Sequence, residues 1–207
     1  GLVYQTCYGI SERAVAALIS IHGDDNGMVL PPDLAPTQVV IVPILFKETR
    51  QETLDYCRRI HAILKKAGFR VKLDDRNLTP GRKFFEWELR GVPIRIEAGP
   101  RDLQKNQAVL VRRDTLERST APIENLPSAV KKLADTISND LGASAWRRLA
   151  EYIHVPATLE EAKRLIHDRK GICLVPWCGS TDCGTRVSEE VNCSVLGTPL
   201  PGQPVLK

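Results

Sequence analysis

The sequence predicts an α/β fold, because strand-like apolar runs alternate with amphipathic helical segments along the chain. Residues 37–46 form an almost continuous apolar run rich in β-branched side chains, which is typical of a strand buried on both faces. Residues 51–67 have helical periodicity, and residues 69–74 alternate as a half-buried strand does. Strand, helix and strand in this order predict an α/β unit with a right-handed crossover.

The elements before this unit are a short strand and a helix. Residues 1–8 are apolar and aromatic, and they predict a strand. Ser11 is placed to cap a helix whose first turn contains Glu12, which the helix dipole favours, and Gly23 ends that helix. Residues 24–36 are rich in Asp, Gly and Pro, and they predict a linker.

The elements after the unit continue the alternation. Thr79 and Pro80 begin a short helix, as N-cap and first position, and Gly91 ends it. Two alternating strands are predicted at 92–97 and 107–112, and a long helix at 126–141. The helix predicted at 51–67 has one apolar stripe, which consists of Leu54, Cys57, Ile60, Leu64 and Ala67.

The character of the sequence changes from Trp146 onward. Thr158 and Glu161 predict a capping box at the start of a further helix. A strand is predicted at 171–176, followed by a Cys-rich loop. We therefore predict three regions, 1–36, 37–143 and 144–207, of which the second and third are separate α/β domains.

The composition narrows the class of protein. The 207 residues are 43% hydrophobic and 26% charged, with a formal net charge of +4, which excludes a disordered polyelectrolyte and a coiled-coil rod. No apolar run is long enough to span a membrane, and no signal peptide precedes the first elements. The six cysteines are irregularly spaced, which favours a reducing compartment. All the excess positive charge lies within residues 69–118, either by chance clustering or as a basic face for phosphates.

Common enzyme motifs are missing: the sequence has no Walker loop, GxGxxG, HExxH or GxSxG pattern, and its four histidines are scattered. The segment 9–13 (GISER) places a turn, a helix N-terminus and Arg13 together, which can hold a phosphate group. An ordinary capped helix with an exposed arginine explains the same residues.

The segment 79–99 concentrates charged and aromatic side chains. Lys83 and Glu88 lie on the predicted short helix, and Arg95 and Glu97 share one face of the following strand. The basic groups can meet phosphates or base acceptors, and a carboxylate can accept from the N–H groups of an unstacked guanine. Phe84, Phe85 and Trp87 can stack on bases, as recognition of single-stranded RNA requires. Alternatively, the helix packs these aromatic rings on the sheet and exposes a salt-bridged face.

Cys178 and Cys183 lie five positions apart with a glycine after each, a pattern that can contribute to a tetrahedral zinc site. The spacing alone favours two free thiols over zinc, since two ligands do not make a site. A thiol-based redox module is a third interpretation, although redox pairs usually lie closer together at the start of a helix.

Taken in order, these segments resemble prolyl-tRNA synthetase of the archaeal and eukaryotic type. The end of the catalytic domain of that family, where it runs into the anticodon-binding domain, is similar to the segment YQTCYGISERAVAALISIHGDDNGMVLPPDLAPTQVVIVPI. The core of the anticodon-binding domain is similar to the segment DDRNLTPGRKFFEWELRGVPIRIEAGPRDL. The start of the zinc-binding domain is similar to the segment VPWCGSTDCG. The resemblance covers essentially the whole chain, and it implies a mixed-sheet anticodon-binding domain followed by a small α/β zinc-type domain.

The resemblance also implies a function. The parent enzyme would be a homodimeric, cytoplasmic ligase of protein biosynthesis that uses ATP and Mg²⁺ to attach proline to its tRNA. Arg13, in the third class II motif, would contact the ATP phosphates. The guanines of the proline anticodon would be read by residues of the middle domain. First choices for this role are Lys83, Arg95 and Glu97, and second choices are Phe84, Glu88 and Arg101.

The resemblance implies two limits for this chain. The first two class II motifs and the proline pocket would lie upstream of Gly1, so the chain alone is expected to bind tRNA without activating proline. Cys178 and Cys183 would be the first pair of zinc ligands, with the second pair beyond Lys207. The alternative is a stand-alone RNA-binding accessory protein that kept the anticodon-binding fold without catalysis.

Overall fold

The computed structural model describes residues 6–46, 48–168 and 170–198. Its helices are α1 (Arg13–His22), α2 (Arg50–Lys66), α3 (Pro80–Leu89), α4 (Pro100–Gln104), α5 (Leu126–Glu151), α6 (Leu159–His167) and α7 (Thr181–Val191). Its strands are β1 (Val39–Pro43), β2 (Val71–Leu73), β3 (Ile94–Ala98), β4 (Gln107–Arg112), β5 (Arg118–Pro122), β6 (Ile153–His154) and β7 (Ile172–Cys173). Two compact units, Gly1–Gly142 and Ala143–Lys207, divide the chain within α5.

The first unit is built on a mixed sheet with the order β2-β1-β3-β4-β5. Strand β1 pairs in parallel with β2 and β3, whereas β4 is antiparallel to both β3 and β5. The α/β fold class predicted from the sequence is confirmed. Parallel pairing of β1 and β2 across α2 agrees with the predicted strand, helix and strand.

Both faces of β1 are buried, as its continuous apolar sequence predicted. Val39 and Ile41 point to one face, where they pack with α2 and α5 in the main core. Val40 and Val42 point to the other face, where they pack with Trp87 of α3. Helices on opposite faces of one sheet therefore explain why this strand lacks polar residues.

Short polar contacts attach the predicted linker to the sheet domain. The carboxylate of Asp24 accepts two hydrogen bonds from Arg113, at 2.6 and 2.8 Å, and Met28 N–H donates to the carbonyl of Leu89. Gly27 has a φ of +126°, and a Cβ at this position would lie 2.6 Å from the Leu89 Cα. The glycine is therefore required both by backbone conformation and by the close approach of two chain segments.

The second unit contains a two-stranded parallel sheet, β6 with β7, and the helices α6 and α7. Thr158 caps α6 by accepting a hydrogen bond from Glu161 N–H, as predicted. The Glu161 carboxylate accepts from Ala157 N–H, one residue before the N–H of Thr158 that the predicted capping box requires. Ser180 caps α7 by accepting from Cys183 N–H. None of the described helices has the length and apolar character needed to traverse a bilayer.

Several predicted elements need correction. Thr6–Tyr8 form no strand, and the rest of the strand predicted at 1–8 lies outside the described residues. The N-cap of α1 is Glu12, one residue later than predicted, although Ser11 Oγ still accepts from Arg13 N–H at 3.4 Å. Strand β5 and helix α4 were not predicted, and α5 continues to Glu151, beyond the predicted end at 141.

The predicted Cys-rich loop is largely helical, because Ser180 provides a cap and α7 begins at Thr181. On α2, the buried stripe includes Thr53 and Tyr56 instead of the predicted Leu54 and Ala67. Ala67 lies in the C-cap, where the helix has already ended.

Candidate nucleic-acid interface

Helix α3 covers the face of the sheet that contains Arg95 and Glu97. It begins at Pro80 after the N-cap Thr79, where the missing proline N–H costs no hydrogen bond. Phe84 and Glu88 lie one turn apart on this helix, so both side chains can reach the same point of β3.

Arg95 is the centre of the cluster. Its Nη1 donates to Glu88 Oε1 at 2.5 Å, and its Nε donates to Glu97 Oε1 at 3.1 Å. The guanidinium carbon lies 4.0 Å from the centre of the Phe84 ring, in a cation–π contact. Only 8% of Arg95 is exposed. Its planar group is fixed by three partners, namely Glu88, Glu97 and the Phe84 ring.

Glu97 extends the cluster toward the edge of the sheet. Arg118 of β5 donates from Nη2 to Glu97 Oε1 at 3.2 Å, and its side chain is 59% exposed. Arg95 and Arg118 both lie opposite Val111 in the strand register, so they occupy one row across the sheet face. The charged row ends at an arginine that is open to a partner.

The arrangement has the chemistry needed to read bases. The charged cluster, which we define as Phe84, Glu88, Arg95, Glu97 and Arg118, alternates cations and carboxylates beside an aromatic ring. Arginine can donate to guanine O6 and N7, and a carboxylate can accept from guanine N–H groups. Among the predicted site residues, the structure brings together Phe84, Glu88, Arg95 and Glu97. Arg118 was missed, because no strand was predicted around it.

Lys83 does not join the charged cluster. It is 1% exposed, and its Nζ donates to the Asp74 carbonyl at 2.9 Å. A side chain at this depth presents no surface to a base, so its predicted role as a direct contact does not fit this structure. Burial lowers the pKa of Lys83, against the attraction of Asp74.

Asp74 is the acceptor of a second polar network. Arg76 donates to both of its carboxylate oxygens, at 2.7 and 2.9 Å, and the Trp87 indole N–H donates to Oδ2 at 2.7 Å. Burial alone would raise the pKa of Asp74, but the hydrogen bonds from Arg76 and Trp87 and the charge of Lys83 hold that pKa at about 2. Trp87 is 5% exposed, so its predicted alternative role in packing fits the structure, whereas Phe85 is 60% exposed.

The remaining predicted site residues lie elsewhere. Arg101 is exposed on α4, directly after β3, and makes no contact with the charged cluster among the described residues. Arg13 is exposed at the start of α1, and its role in phosphate binding stays a prediction. The predicted roles of Arg101 and Arg13 therefore do not depend on the geometry of the sheet face.

The two cysteines of the predicted zinc site flank the start of α7. A hydrogen bond with Ser180, with further hydrogen bonds from the Ser180 backbone and from Cys183, lowers the pKa of the exposed Cys178 to about 7. The Cys178 Sγ and Ser180 Oγ atoms lie 3.3 Å apart. Within the described residues, no group of three or more His, Cys, Asp or Glu side chains is arranged to hold a metal.

The mixed sheet and the charged cluster lie within residues 38–133, which match the family model of the anticodon binding domain. Residues 159–206 match the family model of the prolyl-tRNA synthetase C-terminal region. The chain belongs to the prolyl-tRNA synthetase family.

Its relatives agree with this assignment. The chain is 50% identical over 199 residues to the proline–tRNA ligase of Thermococcus kodakarensis, covering 96% of the chain and 41% of that protein. It is 48% identical over 195 residues to the proline–tRNA ligase of Methanothermobacter thermautotrophicus, covering 94% of the chain and 40% of that protein. The chain thus spans about two fifths of the length of the curated relatives it matches.

A solved structure shows the same fold. The prolyl-tRNA synthetase of Cryptosporidium parvum, solved in complex with halofuginone and AMPPNP, superposes with a TM-score of 0.79 at 40% sequence identity. The match covers 87% of this chain and 37% of that one.

Proposed function

We propose that this chain recognises the anticodon of proline tRNA for a proline–tRNA ligase. The single observation that carries the proposal is the fixing of Arg95 between Glu88, Glu97 and the Phe84 ring. Buried charges cost free energy, so a cluster of them on a sheet face is better explained by recognition than by stability. The anticodon-binding family and the positive charge of residues 69–118 support the same partner.

Each member of the charged cluster has a distinct role in the proposal. Glu97 and Glu88 accept from guanine N–H groups, while Arg95 keeps their carboxylates in position and donates to a guanine acceptor. Phe84 provides an aromatic face for stacking. Arg118, which is the most exposed member, meets the incoming RNA first.

Two predicted residues take other roles in the proposal. Arg101 lies on α4, immediately after β3, where it supplies a second exposed cation for the RNA. Lys83 supports the site from behind, because its buried amine holds the start of α3 against Asp74. We do not assign Lys83 a direct contact with a base.

The complete enzyme would attach proline to its tRNA in an ATP-dependent ligase reaction of protein biosynthesis. Arg13 would contact the phosphates of ATP, with Mg²⁺ as the counter-ion, since a fixed cation stabilises the charge of the reacting phosphate. The solved relatives from Cryptosporidium parvum were bound to AMPPNP or to L-proline and AMP, which supports ATP and proline as its substrates.

Two further properties of the complete enzyme follow from its family. A homodimer is the assembly that we infer from the resemblance to class II synthetases. An enzyme that charges tRNA works where translation takes place, so we infer a cytoplasmic location.

The proposal includes a zinc site that begins at the two cysteines of α7 and the loop before it. Cys178 and Cys183 would supply two thiolates, which is half of the tetrahedral set that a structural zinc site requires. The described residues do not complete that set. Elemental analysis of the dialysed chain tests the pair: zinc at one equivalent would show that further ligands join it, and a metal-free chain would remove the assignment.

The decisive experiment for the function measures binding of the chain to proline tRNA and to a tRNA of the same body with altered anticodon guanines. We expect tighter binding to the unaltered tRNA and an affinity that falls as salt rises. Equal affinity for both molecules would overturn anticodon recognition, even if both bind strongly.

A further inference from the structure

A cavity of about 220 Å³ lies on the α3 side of the sheet domain, next to the charged cluster but separate from it. Trp87 lines the cavity, and the walls include Pro36, Val92 and the hydroxyl-bearing Thr37. Lys72 of β2 and Arg90 at the end of α3 line the same cavity. The pocket therefore combines an aromatic surface, an apolar wall and two cations.

The two cations converge on one ring. Lys72 Nζ lies 5.3 Å and Arg90 Cζ 5.0 Å from the centre of the Trp87 ring. The face of an indole attracts cations, which explains why both side chains lie near it. It does not neutralise them, because the ring has no net charge, so both side chains keep their positive charge beside the cavity.

No carboxylate compensates these charges. Among residues 6–46, 48–168 and 170–198, no Asp or Glu lies within 4.0 Å of the Lys72 amine or the Arg90 guanidinium. Asp74 is the carboxylate that contacts Trp87, through the indole N–H, and its two oxygens already accept from Arg76. The cavity is therefore a positive site whose neighbouring acid is occupied.

We propose that this cavity binds a phosphate group through Lys72 and Arg90. An anion in the cavity would be attracted by both cations that line it, and Thr37 offers a hydroxyl donor. The phosphate that binds there belongs to the backbone of the tRNA. This identification of the phosphate rests on the function proposed above. Lys72 and Arg95 both lie opposite Val40 in the strand register, so the cavity and the charged cluster share one row of the same sheet face.

The test uses the double variant Lys72→Gln with Arg90→Gln, which keeps Trp87 and the apolar wall. We expect its affinity for proline tRNA to fall about tenfold near physiological salt, and the slope of log affinity against log salt to decrease in magnitude by about 1, because one phosphate is no longer neutralised. The same fold-change is expected for the tRNA with altered anticodon guanines, because phosphate contacts do not depend on base identity.

The matched control is Arg59→Gln with Lys65→Gln, which removes the same two charge types from exposed positions of α2, the helix on the opposite face of the sheet. A control variant that loses as much affinity and slope as the double variant would overturn the cavity assignment and leave only general charge attraction. A double variant with the wild-type slope would overturn it as well. If the chain binds both tRNAs equally, anticodon recognition fails while the comparison of slopes still decides the phosphate site.

A second measurement distinguishes the source of the phosphate. Inorganic phosphate is titrated into the isotope-labelled chain, and the indole N–H resonance of Trp87 is assigned with the Trp87→Phe variant. A saturable shift that is absent from the double variant supports a site for free phosphate as well as for RNA. A shift that appears only with RNA supports a backbone phosphodiester, and no shift with either probe would overturn the proposal.

Discussion

The guanidinium carbon of Arg95 lies 4.0 Å from the centre of the Phe84 ring, while the same group donates to carboxylates on α3 and β3. Together, these contacts hold an aromatic ring, a guanidinium and two carboxylates next to one another on one face of the sheet. A planar guanidinium can make all three contacts at once, whereas a lysine ammonium cannot.

Arg95→Lys is therefore expected to weaken binding of proline tRNA by about 1–3 kcal/mol and to reduce discrimination against altered anticodon guanines. The charge is kept, so a loss would arise from geometry and not from net charge. Fluorescence anisotropy with both tRNAs measures the effect. Arg58→Lys is the matched control, because Arg58 is half exposed and its one ion pair within the described part of the chain is with Asp55 on the surface of α2. Equal losses for the two variants would contradict the prediction.

Glu97→Ala is expected to cost about 1–3 kcal/mol of tRNA affinity, since a carboxylate that accepts from guanine would be lost. The direction of the change in tRNA affinity distinguishes a base contact from a charge effect. Removing a negative charge strengthens non-specific attraction to RNA, so weaker binding indicates lost base contacts. Glu124→Ala, at an exposed position, removes the same charge outside the cluster and should leave discrimination unchanged. Unchanged affinity of Glu97→Ala would remove Glu97 from the site.

Asp74 is expected to make the stability of the first unit sensitive to acid. Its pKa is held at about 2, below the ordinary value of 3.8, so the ionised form stabilises the folded state. That contribution, about 2 kcal/mol, is present above the ordinary pKa and is lost as the pH falls from about 4 to about 2. Asp74→Asn should therefore lower the free energy of unfolding at neutral pH and flatten its dependence on acid.

Urea unfolding at about pH 6 and at about pH 3 measures this effect. Asp75→Asn is the control, because Asp75 is the exposed neighbour of the buried Asp74. If wild type and Asp74→Asn lost the same stability between the two pH values, Asp74 would not be the acid-sensitive group.

Asp24→Asn is expected to loosen the linker between α1 and β1. Asp24 accepts two hydrogen bonds from Arg113, and those hydrogen bonds lower the pKa of its carboxyl. The side chain of Asp24 is 40% exposed, so we expect a cost of only about 1 kcal/mol in stability. Hydrogen exchange of residues 24–30 should accelerate more than that of β1. Asp25→Asn is the control. Equal hydrogen-exchange rates of residues 24–30 in both variants would contradict the prediction that the Asp24–Arg113 contact holds the linker in place.

The sequence is sufficient to predict most of the fold where periodicity is strong. Strand β1 and helix α2 carry continuous or regularly spaced apolar residues, so their burial could be predicted. Strand β5 could not, because its sequence RSTAP contains one buried residue and lacks the apolar alternation of a half-buried strand. Helix α4 is five residues long and carries too little periodicity to be detected.

The candidate site was only partly predictable for a related reason. Phe84, Glu88, Arg95 and Glu97 are close in sequence, so a helix followed by a strand brings them together. Lys83 is adjacent to Phe84, yet the helical turn directs it to Asp74 and the interior. Arg118 enters from another strand, and only the strand register shows that it shares a row with Arg95.

The edges of the five-stranded sheet have a consequence for self-association. Open edges present unpaired backbone groups that can template pairing with another chain. Here one edge is β2, with three residues, and the other is β5, whose exposed residues include Arg118 and whose last residue is Pro122. Short length, charge and proline all discourage pairing between edges of neighbouring molecules. The arginine that we assign to RNA recognition thereby also protects the domain against aggregation.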